Sequence, residues 1–161
     1  MKKIFTALCF VLVASLSCLA QETYTWKKHK IEATFTKGMK IYQTDGEKVT
    51  ITNGTAALDF LPLSQKTIDK TDDDDMMKLI PQIAENLEID LEKAAKEEYE
   101  CINGAGVCII APHKTKDMYG VIALSASNEG NPYRYFIIAG LFTEEDSDDI
   151  EEIISNLNYK N

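Results

Sequence analysis

The sequence predicts an α+β fold: an antiparallel sheet of about six to eight strands, with helices packed on both faces of its C-terminal strands as an α/β/α sandwich. Three observations predict it. Strand-length apolar runs, most of them separated by Gly-containing turn dipeptides, outnumber helical patterns. Only two segments, 72–96 and 146–158, carry apolar residues at helical spacing. The later strands are apolar on both faces, so they need cover on both. No strand–helix–strand alternation recurs, which argues against a doubly wound parallel sheet.

The chain opens on a processing segment. Lys2 and Lys3 precede an apolar run from Ile4 to Leu16, and small residues at Cys18 and Ala20 stand three and one positions before Gln21. This is the pattern of a secretory signal over residues 1–20, cleaved between Ala20 and Gln21, too short and wrongly flanked for a membrane span. A second route is open: Ser15-Leu16-Ser17 before Cys18 loosely resembles a lipobox, which would make a lipidated Cys18 the mature N-terminus. Either route exports the protein, to the periplasm or the medium, with an outer-membrane anchor only if Cys18 is lipidated. Residues 21–161 then form one domain, large enough to bury a core.

Within that domain Ile31, Ala33 and Phe35 alternate with Glu32, Thr34 and Thr36, a half-buried strand stopped at Lys37-Gly38. Met39 to Thr44 and Lys48 to Thr52 flank Asp45-Gly46, a two-residue hairpin signal because both turn residues accept positive φ. Asn53-Gly54 repeats the signal before Ala56 to Leu61. With Thr55 it also spells a glycosylation sequon, a use that a tight turn disfavours. Ser64 to Thr71 is a polar connector. Ile80, Ile83, Ala84, Leu87, Leu91 and Ala94 or Ala95 then give Asp72 to Lys96 a helical stripe, with Pro81 either kinking one helix or starting a new one.

A hairpin follows, Tyr99 to Ile102 and Val107 to Ile110 around Asn103-Gly104-Ala105-Gly106. A turn at Gly104-Ala105, or a four-residue loop, sets Cys101 opposite Cys108. A turn at Asn103-Gly104 sets Cys101 opposite Gly106 instead. In an oxidising compartment the first register forms a Cys101–Cys108 disulfide, and that disulfide is the expectation. Tyr119 to Ala126 and Tyr133 to Phe142 are the last long strands. Ile150, Ile153, Ile154 and Leu157 mark a closing helix that starts near Thr143 or Asp146.

Taken together, several stretches resemble the PsbP-like superfamily, which spans a photosystem II extrinsic protein, a Ran-binding nucleotide-release factor and DcrB-like periplasmic proteins. They are Phe35-Thr36-Lys37-Gly38-Met39, the hairpin Ile102-Asn103-Gly104-Ala105-Gly106 after a helix, the aromatic strand Tyr133 to Phe136, and Ile153-Ile154-Ser155 in the closing helix. Lys37 stands where such sequences usually carry proline. The resemblance covers nearly the whole mature chain. It implies binding and scaffolding, with no shared catalytic site to carry over.

Charge narrows the partners. The full chain has seventeen basic and twenty-six acidic residues, net −9, and losing Lys2 and Lys3 takes the mature chain to −11. That argues against nucleic acid and against docking on anionic lipid. Glu144, Glu145, Asp146, Asp148, Asp149, Glu151 and Glu152 crowd the last helix start, yet lack the spacing of a calcium loop; Asp72 to Asp75 is similar. His29 and His113 are too few and too scattered for zinc. Cys101 with His113 as base is a candidate nucleophile–base pair, and the disulfide with Cys108 competes with it. No phosphate-binding loop is present. Tyr133, Tyr135 and Phe136 fit core better than a recognition surface. The expectation is an exported, non-enzymatic binding or accessory domain with a protein or envelope partner, no cofactor, no metal and no catalytic residues. A small hydrolase using paired carboxylates and a calcium-dependent adhesion module are the alternatives.

Overall fold

The alternation of Ile31–Phe35 becomes strand β2, with Ile31, Ala33 and Phe35 buried and Glu32 and Thr34 half-exposed. In the computed structural model, which describes residues 21–36, 38–45, 47–63, 77–128 and 134–160, β2 is the middle of a three-stranded sheet. Its neighbours are β1 (Glu22–Trp26) and β10 (Asn158–Tyr159), neither of them expected from the sequence. Seven further strands make the second sheet: β3 (Lys40–Thr44), β4 (Val49–Thr52), β5 (Ala57–Pro62), β6 (Ala95–Cys101), β7 (Gly104–Pro112), β8 (Tyr119–Ser127) and β9 (Tyr135–Phe142). Their order is β3-β4-β5-β9-β8-β7-β6, and every pairing is antiparallel.

The turns form for local reasons. Asp45 Oδ1 accepts the backbone N–H of Glu47 (3.0 Å) and of Lys48 (2.7 Å), closing β3 onto β4. Asn53 Oδ1 likewise accepts from Thr55 N (3.0 Å) and Ala56 N (2.7 Å), closing β4 onto β5.

Both faces of the large sheet are covered, by different means. On the inner face Val49, Ile51, Leu58, Phe60, Val121 and Phe136 pack against Trp26 and Phe35 of the small sheet and against helix α2 (Ser147–Ser155). Trp26 meets the Phe136 ring edge-on at 4.9 Å between centroids, and Phe35 meets Phe60 at 5.3 Å. Each such aromatic contact adds about 0.5–1.5 kcal/mol beyond the area it buries. On the outer face Ile109, Ile122, Leu124 and Ile137 lie under Ile80 and Ala84 of helix α1 (Leu79–Asn86). The sandwich therefore holds as α+β, with one layer made of helix and the other of helix plus three strands. Among the described residues no helix is long and apolar enough to cross a membrane.

Two sequence expectations need correction. The helical stripe of residues 72–96 does not continue as one α-helix: α1 ends at Asn86, a single 3-10 turn spans Leu91–Lys93, and β6 begins at Ala95. Glu88 takes a left-handed φ of 55°, its N–H donating to Glu85 O, while Ile89 N–H reaches back to Ala84 O, both at 3.1 Å. This pair of bonds is the Schellman stop, usually announced by glycine. Leu91 and Ala95 keep the spacing by coincidence. Pro81 occupies the third helical position, where no backbone donor is needed. Residues 72–76 lie outside the described residues.

The second correction concerns the hairpin. Strands β6 and β7 close around Ile102-Asn103, with Asn103 at φ 59°, so Cys101 lies opposite Gly104, Tyr99 opposite Gly106, and Glu97 opposite Cys108. The cysteines share a face but stand four residues apart along the ladder, about 13 Å at ~3.3 Å per residue. A disulfide spans less than about 7 Å between Cα atoms, and both thiols are free. The reason is that the glycines are needed inside the strand. A Cβ on Gly104 would sit 2.5 Å from the Tyr159 ring, and one on Gly106 would collide with the Leu124 carbonyl oxygen. Asparagine takes the turn instead, its Nδ2 donating to Tyr159 O at 3.1 Å. The hairpin lies at the end of the sheet, with β6 as edge strand; its Lys96, Glu97, Glu98 and Glu100 guard that edge.

Candidate functional site

The sequence candidates separate in space. Cys101 sits at the Gly104 end of β7, whereas His113 follows Pro112 at the other end, nine residues and roughly 30 Å away. Burial pushes both thiols up to about 11, with Glu97 and Glu151 adding to the effect at Cys108, so neither is a thiolate at neutral pH. Between them on the same face, burial raises the Tyr99 phenol as well. His113 is buried, and its Nδ1 accepts the N–H groups of Thr115 (3.1 Å) and Lys116 (3.2 Å). Its lone pair is thereby used to pin the β7–β8 loop, not to accept a proton from a nucleophile.

The acidic helix start is spent on structure at its centre. Asp146 is 5% exposed. Its Oδ1 accepts Asn53 Nδ2 (2.8 Å) and Thr55 Oγ1 (3.1 Å), and its Oδ2 accepts Thr143 Oγ1 (2.7 Å) and Thr143 N (3.2 Å). The sequon asparagine is thus tied to a carboxylate across the molecule. Among the described residues no three His, Cys, Asp or Glu side chains are placed to share a metal ion. His29 Nε2 meets Glu47 Oε2 at 2.7 Å on the surface, and Lys28 Nζ meets Glu47 Oε1 at 3.0 Å. Phe136 is core as expected, and Tyr135 is half-buried on the outer side. Residues 1–20, including Cys18 and Ala20, the Asp72 to Asp75 run and Tyr133 lie outside the described residues, while Gln21 is exposed and donates to Glu152 at 2.9 Å.

A concave surface that sequence reasoning missed lies beside α1. The helix has two turns and the sheet seven strands, so α1 covers only a stripe of the outer face. Along its β5–β9 side runs a groove of about 470 Å³, floored by Leu61, Leu63, Ile137 and Ala139 and walled by Leu79, Ile83 and Leu87. Its rim carries Gln82 and Asn86 from the helix, and Lys48 and Asp59 from the sheet. Lys48 Nζ bonds Asp59 Oδ2 at 2.6 Å, and Asp59 Oδ1 accepts Thr50 Oγ1 at 2.6 Å. A smaller hollow of about 240 Å³ opens on the other side of α1, over Val107, Leu124 and Tyr135. The signal that points to the groove is the two-faced apolarity of β5 and β9: Leu61 remains 38% exposed on a strand whose other face is core. An aliphatic floor with a polar rim suits a ligand or partner segment.

No family model and no curated relative matches the sequence. Solved structures do match in fold. The Saccharomyces cerevisiae Ran-binding protein Mog1p superposes with a TM-score of 0.54 at 10% identity, over 88% of this chain and 96% of its own. A point mutant of Mog1 gives 0.53 at 10% identity, over 87% and 96%. A Bacteroides thetaiotaomicron structure gives 0.51 at 9% identity over 87% of this chain, which spans 48% of that longer one. At such identities the likeness is one of fold. It agrees at that level with the PsbP-like resemblance read from the sequence, which includes a Ran-binding factor.

Proposed function

We propose that the chain is an exported, non-enzymatic binding or accessory domain that holds a protein or envelope partner in the groove beside α1. The groove is the observation that carries this: it is the larger of the two apolar hollows beside α1, with an aliphatic floor on the sheet and walls on the helix. Its chemistry favours binding over hydrolysis. Among the described residues Asp59 is the one carboxylate in the lining, and it is held by Lys48 and Thr50, with no second described acid beside it for paired-carboxylate cleavage. A protein partner also agrees with the fold's occurrence in a Ran-binding protein. Export rests on the leader pattern of residues 1–20.

Affinity capture from the native envelope tests the reading, with residues 21–161 as bait beside the same domain carrying Ile83→Glu. A species retained by the first and lost by the second is expected. Recovery of nothing reproducible, or of the same species on both baits, overturns it. An intact mass beginning at Gln21, or at an acylated Cys18, checks the export step.

A further inference from the structure

We propose that the occupant of the groove is an uncharged, aliphatic polypeptide segment in extended conformation. The proposal rests on the binding reading above and names the chemistry that reading leaves open. Charge comes first. In a chain of net −9 the described lining is electrically balanced, because the one cation and one anion among the described residues, Lys48 and Asp59, are bonded to each other at 2.6 Å. The carboxylate of a fatty acid or the phosphate of a lipid headgroup finds no uncommitted cation among the described lining residues and meets Asp59 instead. Like charges brought together in this way penalise the wrong ligand more than they reward the right one.

The rim supplies the second argument. Gln82 and Asn86 stand four residues apart, one helical turn, on the exposed edge of α1. Both carboxamides are exposed there, facing solvent. Each offers two donors and one acceptor oxygen, the complement of a peptide unit. A hydrocarbon chain lying along the rim offers neither group a partner in place of the water it displaces. An extended peptide satisfies them with its backbone. Its alternate side chains then face the floor formed by Leu61, Ile137 and Ala139, at the two-residue period of a strand.

The probes are a capped, uncharged heptapeptide alternating serine with leucine or isoleucine, and dodecanoate below its micellar concentration. Each is titrated into the isotopically labelled 21–161 domain and followed by amide chemical shifts. The peptide is expected to saturate, with shifts centred on Ile83, Leu87, Ile137 and Ala139. Joint Gln82→Ala and Asn86→Ala substitution should weaken it at least fivefold, on the order of one hydrogen bond. Ile83→Glu should weaken it at least tenfold, while Leu91→Glu, outside the groove, leaves it unchanged; unaltered spectra elsewhere verify folding of each variant. Saturation by dodecanoate with no response to the peptide overturns the peptide assignment and spares the binding reading. Response to neither probe, or occupation of the groove by residues 64–76 of the same chain, overturns both.

Discussion

Asp146 shows how one side chain can join distant parts of the chain. Burial pushes its carboxyl up, but the hydrogen bonds from Thr143, Asn53 and Thr55 outweigh that and hold it below the ordinary range. A carboxyl lowered on folding contributes stability that is present above its unfolded value of about 3.9 and is lost as pH falls through the folded value. Asp146→Asn should therefore flatten the acid limb of a stability–pH curve measured by urea unfolding. Asp146→Ala, which leaves the donors of Asn53, Thr55 and Thr143 without their acceptor, should cost about 2–4 kcal/mol at neutral pH. An acid limb unchanged in Asp146→Asn would remove the carboxylate from this role. The cysteines make the opposite case, two groups kept apart by the strand that carries them. Alkylation of the unfolded domain without reductant should label both Cys101 and Cys108, while the folded domain reacts slowly because burial keeps the thiols protonated. An unlabelled pair would place them in a disulfide and contradict the register.

At the scale of elements, the legible features were those whose cause is local. Alternation fixed β2, and Asp45-Gly46 and Asn53-Gly54 marked their hairpins because the Asx side chains themselves close the turns. The end of α1 was illegible because a glutamate occupies the left-handed position. That residue gives a prediction: Glu88→Gly removes the strain of a Cβ at φ 55° and should raise stability by about 1 kcal/mol, read as a higher urea midpoint with an unchanged slope. The side-chain contact that this substitution removes is long, Glu88 Oε2 lying 3.7 Å from His113 Nε2. A lowered midpoint would mean that the contact outweighs the backbone strain. The hairpin register was illegible for a related reason. Gly104 and Gly106 read as turn residues, yet they are strand residues thinned to admit Tyr159 and the β8 backbone, a demand set by residues far along the chain.

Across the whole molecule, the two sheets are joined by the last few residues. Strand β10 pairs with β2, and it also clasps the β6–β7 turn: Ile102 N–H donates to Leu157 O (2.9 Å) and Tyr159 N–H to Ile102 O (3.0 Å). The Tyr159 ring is fully buried against Gly104, its hydroxyl bonds Ser125 Oγ at 2.8 Å, and the Arg134 guanidinium lies 5.6 Å above it. A two-residue strand carries no periodicity, so this clasp was invisible in the sequence, as was the groove, whose walls come from β5, β9 and α1. The clasp predicts an ordered pair of effects. Tyr159→Phe loses one hydrogen bond and should cost about 1 kcal/mol. Tyr159→Ala leaves a cavity between the sheets and should cost about 3–5 kcal/mol. Hydrogen exchange separates local from global loss: in Tyr159→Ala the amides of β2 should lose protection before those of β8 and β9, which lie at the centre of the large sheet. Equal loss in all three strands would mean that the sheets unfold as one unit and that β10 is not the joint between them.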